Sequence, residues 1–318
     1  MKSMSAMRIR LLIVISILSL YAPLRAQWHL IPTGIDIDLN GLFFINDNQG
    51  FLAAKSGDIL SIKATEAKWR IDTLFQSASL KDIYFFENGR IGFAYGSKGV
   101  LVRTDDSGRH WTGFNIDSAL QIVDIGFFDS TIGLMIGMQF TAERKYTGTV
   151  LKSSDGGKSW DALDLQGIAL ASLELFSDSS ALICGSQFIL STGNKGKNWN
   201  KVSVPPGVVP KALAIRGNKG IIVGMGGFLA LSEDSGKNWH RMNILSEKVS
   251  LFRLLMIDSL RAYAVGSDGE ILYTDDSGHN WVPEASGTIH DLFDIQMVGK
   301  RIYACGKGGA LIYRESGE

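Results

Sequence analysis

The octapeptide TDDSGRHW at 104–111 returns as SSDGGKSW at 153–160, TGNKGKNW at 192–199, SEDSGKNW at 232–239 and TDDSGHNW at 274–281. The shared pattern is Ser/Thr-x-Asp-x-Gly-x-x-Trp. Its positions are Thr104, Asp106, Gly108 and Trp111; Ser153, Asp155, Gly157 and Trp160; Thr192, Asn194, Gly196 and Trp199; Ser232, Asp234, Gly236 and Trp239; Thr274, Asp276, Gly278 and Trp281. Only Asn194 departs, standing where the other copies have Asp. A degenerate copy, IKATEAKW at 62–69, keeps Trp69 alone. Each copy follows a hairpin-like apolar stretch, such as RIGFAYGSKGVLVR or GIIVGMGGFLALS, and ahead of each hairpin lies another apolar run, such as LKDIYFF or IVDIGFF. The unit is therefore four short strands separated by turn signals. From Trp69 to Trp281 the motif tryptophans are 42, 49, 39, 40 and 42 residues apart. A period of about 40–50 residues with four strands per unit is that of a β-propeller.

Hairpins near residues 51, 91, 132, 181, 220, 262 and 302 count seven units. The last unit runs into YRESGE at 313–318 and breaks off just after its glycine, whereas QWHLIP at 27–32 resembles the tryptophan half it lacks. The expectation is an all-β, seven-bladed propeller whose N-terminal strand, with Trp28, completes the C-terminal blade and leaves no free sheet edge.

The motif belongs on the turn between a blade's third and fourth strands. Its carboxylate can accept backbone N–H bonds across the turn, its hydroxyl adds a local bond, and its glycine supplies a positive φ. The tryptophan opens the fourth strand and buries its ring. Read this way the residues are structural. DDSG opens like a calcium loop, but no unit supplies the bidentate Glu at position 12. DGGKS at 155–159 resembles a phosphate loop, yet Lys152 stands where the first glycine belongs.

Composition agrees with many tight turns: 36 glycines and 6 prolines in 318 residues, with 45% apolar and 20% charged residues. Residues 1–26 read as a secretory signal, with Lys2, Arg8 and Arg10 ahead of LLIVISILSLYA at 11–22, too short a run to span a bilayer as a helix. Its removal leaves 28 basic against 32 acidic residues in a 27–318 domain, a net charge of −4. That balance offers no footprint for nucleic acid or an anionic membrane, and no insertion into the membrane is expected after cleavage.

No G-x-S-x-G, H-E-x-x-H, C-x-x-C or G-x-G-x-x-G occurs, so no catalytic set, cofactor site or metal site is assigned. Cys184 and Cys305 fall in one column three blades apart, which predicts two buried free thiols. Asp82, Asp124 and Asp294 recur at the start of the innermost strands. Paired carboxylates could hydrolyse a glycoside, but a repeated position more simply reflects repeated geometry.

The motif is the Asp box, or bacterial neuraminidase repeat. The whole pattern resembles the photosystem II stability/assembly-factor family over about 27–318. That resemblance implies an exported, non-enzymatic propeller acting as a protein-binding scaffold or assembly factor. Sialidases share the box and keep alive an alternative, a glycoside hydrolase or carbohydrate-binding propeller with a glycan ligand. Their Arg-Ile-Pro element is absent here.

Propellers recognise partners on the face opposite the box. Two features mark that face. The unit of 49 residues carries its excess in GMQFTAERKYTGT at 137–149, a second-to-third-strand loop with Arg144, Lys145 and Tyr146. The column entering the innermost strands reads Asn40, Lys81, Val123, Ala171, Lys211, Arg253, Phe293, and its three basic residues at the ring mouth suit an acidic or carboxylate-bearing partner. The expected partner is another exported or membrane protein.

Overall fold

A computed structural model describes residues 27–64, 69–76, 78–86, 89–140, 146–163, 169–186, 188–206, 209–242 and 249–316. The signal sequence at 1–26, the core of the degenerate motif at 65–68, and Arg144, Lys145 and Gly317 lie outside the described residues. The side chains of Trp69 and Tyr146 do too.

The chain forms seven four-stranded antiparallel sheets. Blades 1 to 6 span 39–76, 80–115, 120–162, 170–203, 210–241 and 251–285. Blade 7 takes its first three strands from 292–315 and its fourth from His29–Leu30, which pairs with Tyr313 and Ile312. The first strand of every blade touches the first strands of its two neighbours, so these seven strands line a central channel.

Burial explains the sequence of each strand. Second strands such as Ala181–Gly185 and Ala262–Gly266 are buried at every residue, because a neighbouring blade covers each face. They read as continuous apolar runs rather than alternating ones. Fourth strands such as Asn200–Ser203 and Val282–Ala285 form the rim and are mostly exposed. In four blades the glycine ending the second strand answers a close approach. A Cβ on Gly96, Gly224, Gly266 or Gly306 would collide with the carbonyl oxygen of Ser79, Val209, Ser250 or Asp291. The next residue's N–H donates to that same oxygen, at 2.8–3.0 Å.

The box turns carry the bonds their composition implies. In blade 6 the Thr274 hydroxyl donates to Asp276 Oδ1 at 2.9 Å and accepts the Gly278 N–H at 3.0 Å. Asp276 Oδ1 also accepts the Asn280 N–H, at 2.8 Å, and Oδ2 accepts the Asn280 side-chain amide. The Trp281 indole N–H closes the turn on the Gly278 carbonyl. Gly278 lies at φ +88°, with Ser277 before it at +63°. In blade 5 the same donors hold the Asp234 carboxyl at about pKa 2, the Asn238 side chain contributing most.

The third copy is weaker, and the reason is local. Asn194 keeps the Oδ1 role, accepting from the Thr192 hydroxyl and the Asn198 N–H. It has no second carboxylate oxygen for a side-chain donor. The buried Trp199 indole nitrogen has no hydrogen-bond partner, whereas those of Trp111, Trp160, Trp239 and Trp281 each bond a glycine carbonyl. Asn194→Asp should therefore stabilise the propeller by about 0.5–1 kcal/mol, raising the melting temperature by roughly 1–3 °C. A melting curve that coincides with wild type would show that the missing oxygen is not what sets this blade apart.

Ring closure is reinforced by side chains. Trp28 is buried and lies edge-on to Tyr263 at 6.3 Å. Unlike the boxed tryptophans, its indole N–H reaches into the next blade, donating to Glu284 Oε2 at 2.9 Å. Arg314, from the third strand of blade 7, donates to both oxygens of the same Glu284 at 2.7 Å and lies over the Tyr263 ring. One carboxylate on blade 6 thus holds both ends of the chain.

Candidate partner-binding mouth and channel

All seven first strands share one irregularity. The register against the second strand slips by a residue just after the strand begins, between Leu39 and Gly41, Leu80 and Asp82, Ile122 and Asp124, Leu170 and Ser172, Pro210 and Ala212, Leu251 and Arg253, Leu292 and Asp294. Aligned on this bulge, the mouth column reads Asn40, Lys81, Val123, Ala171, Lys211, Phe252, Phe293. Arg253 does not belong to it. The sequence reading placed Arg253 one residue too high. It falls instead in the next column with Gly41, Asp82, Asp124, Ser172, Ala212 and Asp294, one layer down the channel. The leading apolar residue of each run (Leu39, Leu80, Ile122, Leu170, Pro210, Leu251, Leu292) was the marker that fixes this alignment.

At the mouth, Lys81, Val123, Lys211, Phe252 and Phe293 line one cavity of about 400 Å³, together with Met138 from blade 3. Phe252 and Phe293 face each other at 6.1 Å. Among the described residues no carboxylate pairs with Lys81 or Lys211. Burial lowers the pKa of Lys211, and the Lys81 charge lowers it further. The mouth is thus an apolar wall beside two ammonium groups that repel each other. Its rim adds exposed apolar side chains, Val209 at 49% and Met225 at 48% accessible.

The insertion of blade 3 forms part of the same face. Its second and third strands, Gly133–Phe140 and Tyr146–Ser153, run eight residues each and pair up to Phe140 and Tyr146. On either side of 141–145 the excess sequence is thus paired, with Phe140 exposed.

One layer below the mouth, the carboxylates noted in the sequence form a single ionic group. Arg253 reaches from blade 6 to Asp294 of blade 7, Nε to Oδ1 at 2.9 Å, and across the ring to Asp82 of blade 2, a guanidinium NH2 to Oδ2 at 2.8 Å. Asp124 accepts the Tyr95 hydroxyl at 3.3 Å. The carboxylates also bond the backbone. The first strand of a blade has no strand on its channel side, so its N–H groups need other partners. Asp294 accepts from Leu42, Asp124 from Leu173, and Ser172 from Leu213, each donor sitting on the first strand of the following blade. Two residues on, Gln296 and Glu174 do the same for Phe44 and Ile215. Glu174 also pairs with Arg216 at 2.9 Å. Burial raises the Glu174 carboxyl to about pKa 6 against the pull of Arg216. Asp124, Ser172, Glu174 and Arg253 border a second cavity of about 320 Å³ below.

This arrangement bears on the glycosidase alternative. Asp82 and Asp294 share one guanidinium, and Asp124 is held by three donors, so these carboxylates bind the ring together. Among the described residues no three His, Cys, Asp or Glu side chains converge as metal ligands. Cys184 and Cys305 are buried and free. No helix among them is long and apolar enough to cross a membrane.

Fold and turns define the class, a seven-bladed Asp-box propeller with a two-layered channel. Residues 106–211 match the family described as photosynthesis system II assembly factor YCF48. The chain is 28% identical over 144 residues to photosystem II assembly lipoprotein Ycf48 of Synechococcus sp. (strain CC9902), covering 42% of this chain and 43% of that protein. It is 25% identical over 133 residues to the chloroplastic photosystem II stability/assembly factor HCF136 of Arabidopsis thaliana, covering 39% and 33%. The matched stretch thus spans less than half the length of either relative. In fold the likeness is nearly complete. A structure of YCF48 bound to D1 peptide superposes with a TM-score of 0.73 at 18% identity, covering 93% of this chain and 97% of the other. YCF48 from Cyanidioschyzon merolae gives 0.70 at 15%, covering 91% and 98%. The chain is thus a seven-bladed propeller in fold and, over the matched stretch, is similar to photosystem II assembly factors.

Proposed function

We propose that this protein is an exported, non-enzymatic propeller that binds a segment of another exported or membrane protein at the mouth and holds it during assembly. The observation that carries the reading is the pair Lys81 and Lys211, two ammonium groups without carboxylate partners among the described residues, set beside Phe252 and Phe293 in one cavity. An acidic side chain or chain end placed between them would relieve their repulsion, while the rings and Val123 would cover apolar neighbours. A relative solved with a bound peptide supports a polypeptide ligand. The insertion of blade 3, whose sequence carries Arg144, Lys145 and Tyr146, is proposed to extend the contact surface. Residues 1–26 direct export, and 27–318 form the working domain.

The test uses the partner recovered by cross-linking from the native envelope. Lys81→Glu combined with Lys211→Glu should weaken its binding at least about tenfold, roughly 1.4 kcal/mol, with the melting temperature unchanged. Equal affinity for the variant would remove the mouth from the reading. A panel of fluorogenic glycosides should show no turnover, and hydrolysis lost in Asp124→Asn would restore the sialidase-like alternative.

A further inference from the structure

The layer below the mouth has an unusual charge count. Three carboxylates, Asp82, Asp124 and Asp294, each at most 8% exposed, surround one guanidinium. The groups facing Asp294 come from every neighbouring element. Blade 6 supplies Arg253, and blade 2 supplies Asp82, Tyr95 and, at the mouth, Lys81. Blade 3 supplies Asp124. Blade 7's own second strand supplies Cys305, paired opposite Asp294. Blade 1 offers the Leu42 N–H. Arg253 already bridges Asp82 and Asp294, so a second buried negative charge there has no cation of its own. Burying both charges against a single cation is costly in so enclosed a site, and the neighbouring negative charge raises the pKa of Asp294.

We infer that Asp82, Asp294 and Arg253 form a proton-linked bolt across the channel, in which Asp294 holds a proton and Arg253 ties blade 6 to blades 7 and 2. The bolt lies between the mouth and the lower cavity, which Arg253 borders. Burial and the Asp82 charge raise the Asp294 carboxyl to about pKa 7 despite Arg253. Because that value lies above the unfolded one, the folded ring binds the proton more readily than the unfolded chain. Its contribution to stability is therefore full at low pH and is lost as pH rises through about 7. This inference stands apart from partner binding at the mouth.

The test is infrared difference spectroscopy on the full chain labelled with ¹³C-aspartate, which sets the aspartates apart from Glu174 and Glu270, with the raised Asp124 carboxyl separated by its own variant. A protonated aspartate C=O band should be present at pH 6 and gone by pH 8.5. It should vanish when Asp294→Asn or Asp82→Asn is added and persist with Asp124→Asn. Thermal melting gives a second readout. The melting temperature should rise as pH falls from about 7 towards 5, and Asp294→Asn should flatten that rise. Absence of any protonated aspartate band at pH 6, or a band lost with Asp124→Asn but kept in Asp294→Asn, would overturn the bolt.

Discussion

Truncating Trp28 to alanine should destabilise the whole propeller by about 3–5 kcal/mol, although the residue stands next to the first described one. Trp28 is 4% exposed and packs with Tyr263, Ile271, Ile295 and Ile312, residues of blades 6 and 7. Its loss leaves a cavity between the blade that closes the ring and its neighbour. The same substitution removes a donor from Glu284, which then holds Arg314 alone. Deleting 27–34 should cost more, because His29–Leu30 is the fourth strand of blade 7, the Ile31 N–H bonds Leu311 at 2.8 Å, and the Thr33 hydroxyl bonds the Gly309 carbonyl. Without that segment the third strand of blade 7 becomes an open edge. Urea unfolding checks the first variant through its midpoint, and gel filtration checks the second through aggregation. A Trp28→Ala midpoint within error of wild type would mean that the ends are not what holds the ring.

Much of this was legible because a propeller repeats. Five boxes, seven second strands and a split last unit each report the same fold, so an error in one unit could not hide the count. The box roles of Asp234 and Trp239 followed from turn chemistry confined to eight residues. The channel was harder. Asp82, Asp124 and Asp294 announced a repeated position, but their partners are separated by up to 252 residues in sequence, as with Asp294 and Leu42. No local pattern shows a backbone N–H that lacks a strand beside it. Arg253 was misplaced because it was aligned by its charge with Lys81 and Lys211 rather than by the apolar residue that opens its strand. The mouth itself survived that error. Two of its three basic residues remain, and the place given to Arg253 is taken by Phe252, which makes the site more apolar than charge alone suggested.

The place Arg253 does hold gives the second large effect. Arg253→Met preserves much of the side chain's volume and removes its charge, leaving Asp82 and Asp294 buried without their shared cation. Breaking a buried pair in this way costs about 3–5 kcal/mol. A third of Arg253 is solvent-accessible, so a value near 3 kcal/mol is expected. Removing both signs together is a different matter. In Arg253→Met with Asp294→Asn, one acid is neutral and needs no counter-charge, so the double variant should be more stable than the sum of the two single losses predicts, by about 1–2 kcal/mol. The penalty of Arg253→Met should also shrink in acid. An unpaired Asp294 takes up its proton at still higher pH than in the wild type, and each step towards pH 5 returns part of the lost stability. Unfolding midpoints at pH 5 and pH 8 for the four members of the cycle provide the measurement. Strict additivity with no pH dependence would mean that Arg253 merely fills space in the channel, whereas coupling that fades at pH 5 would identify the carboxylates it serves.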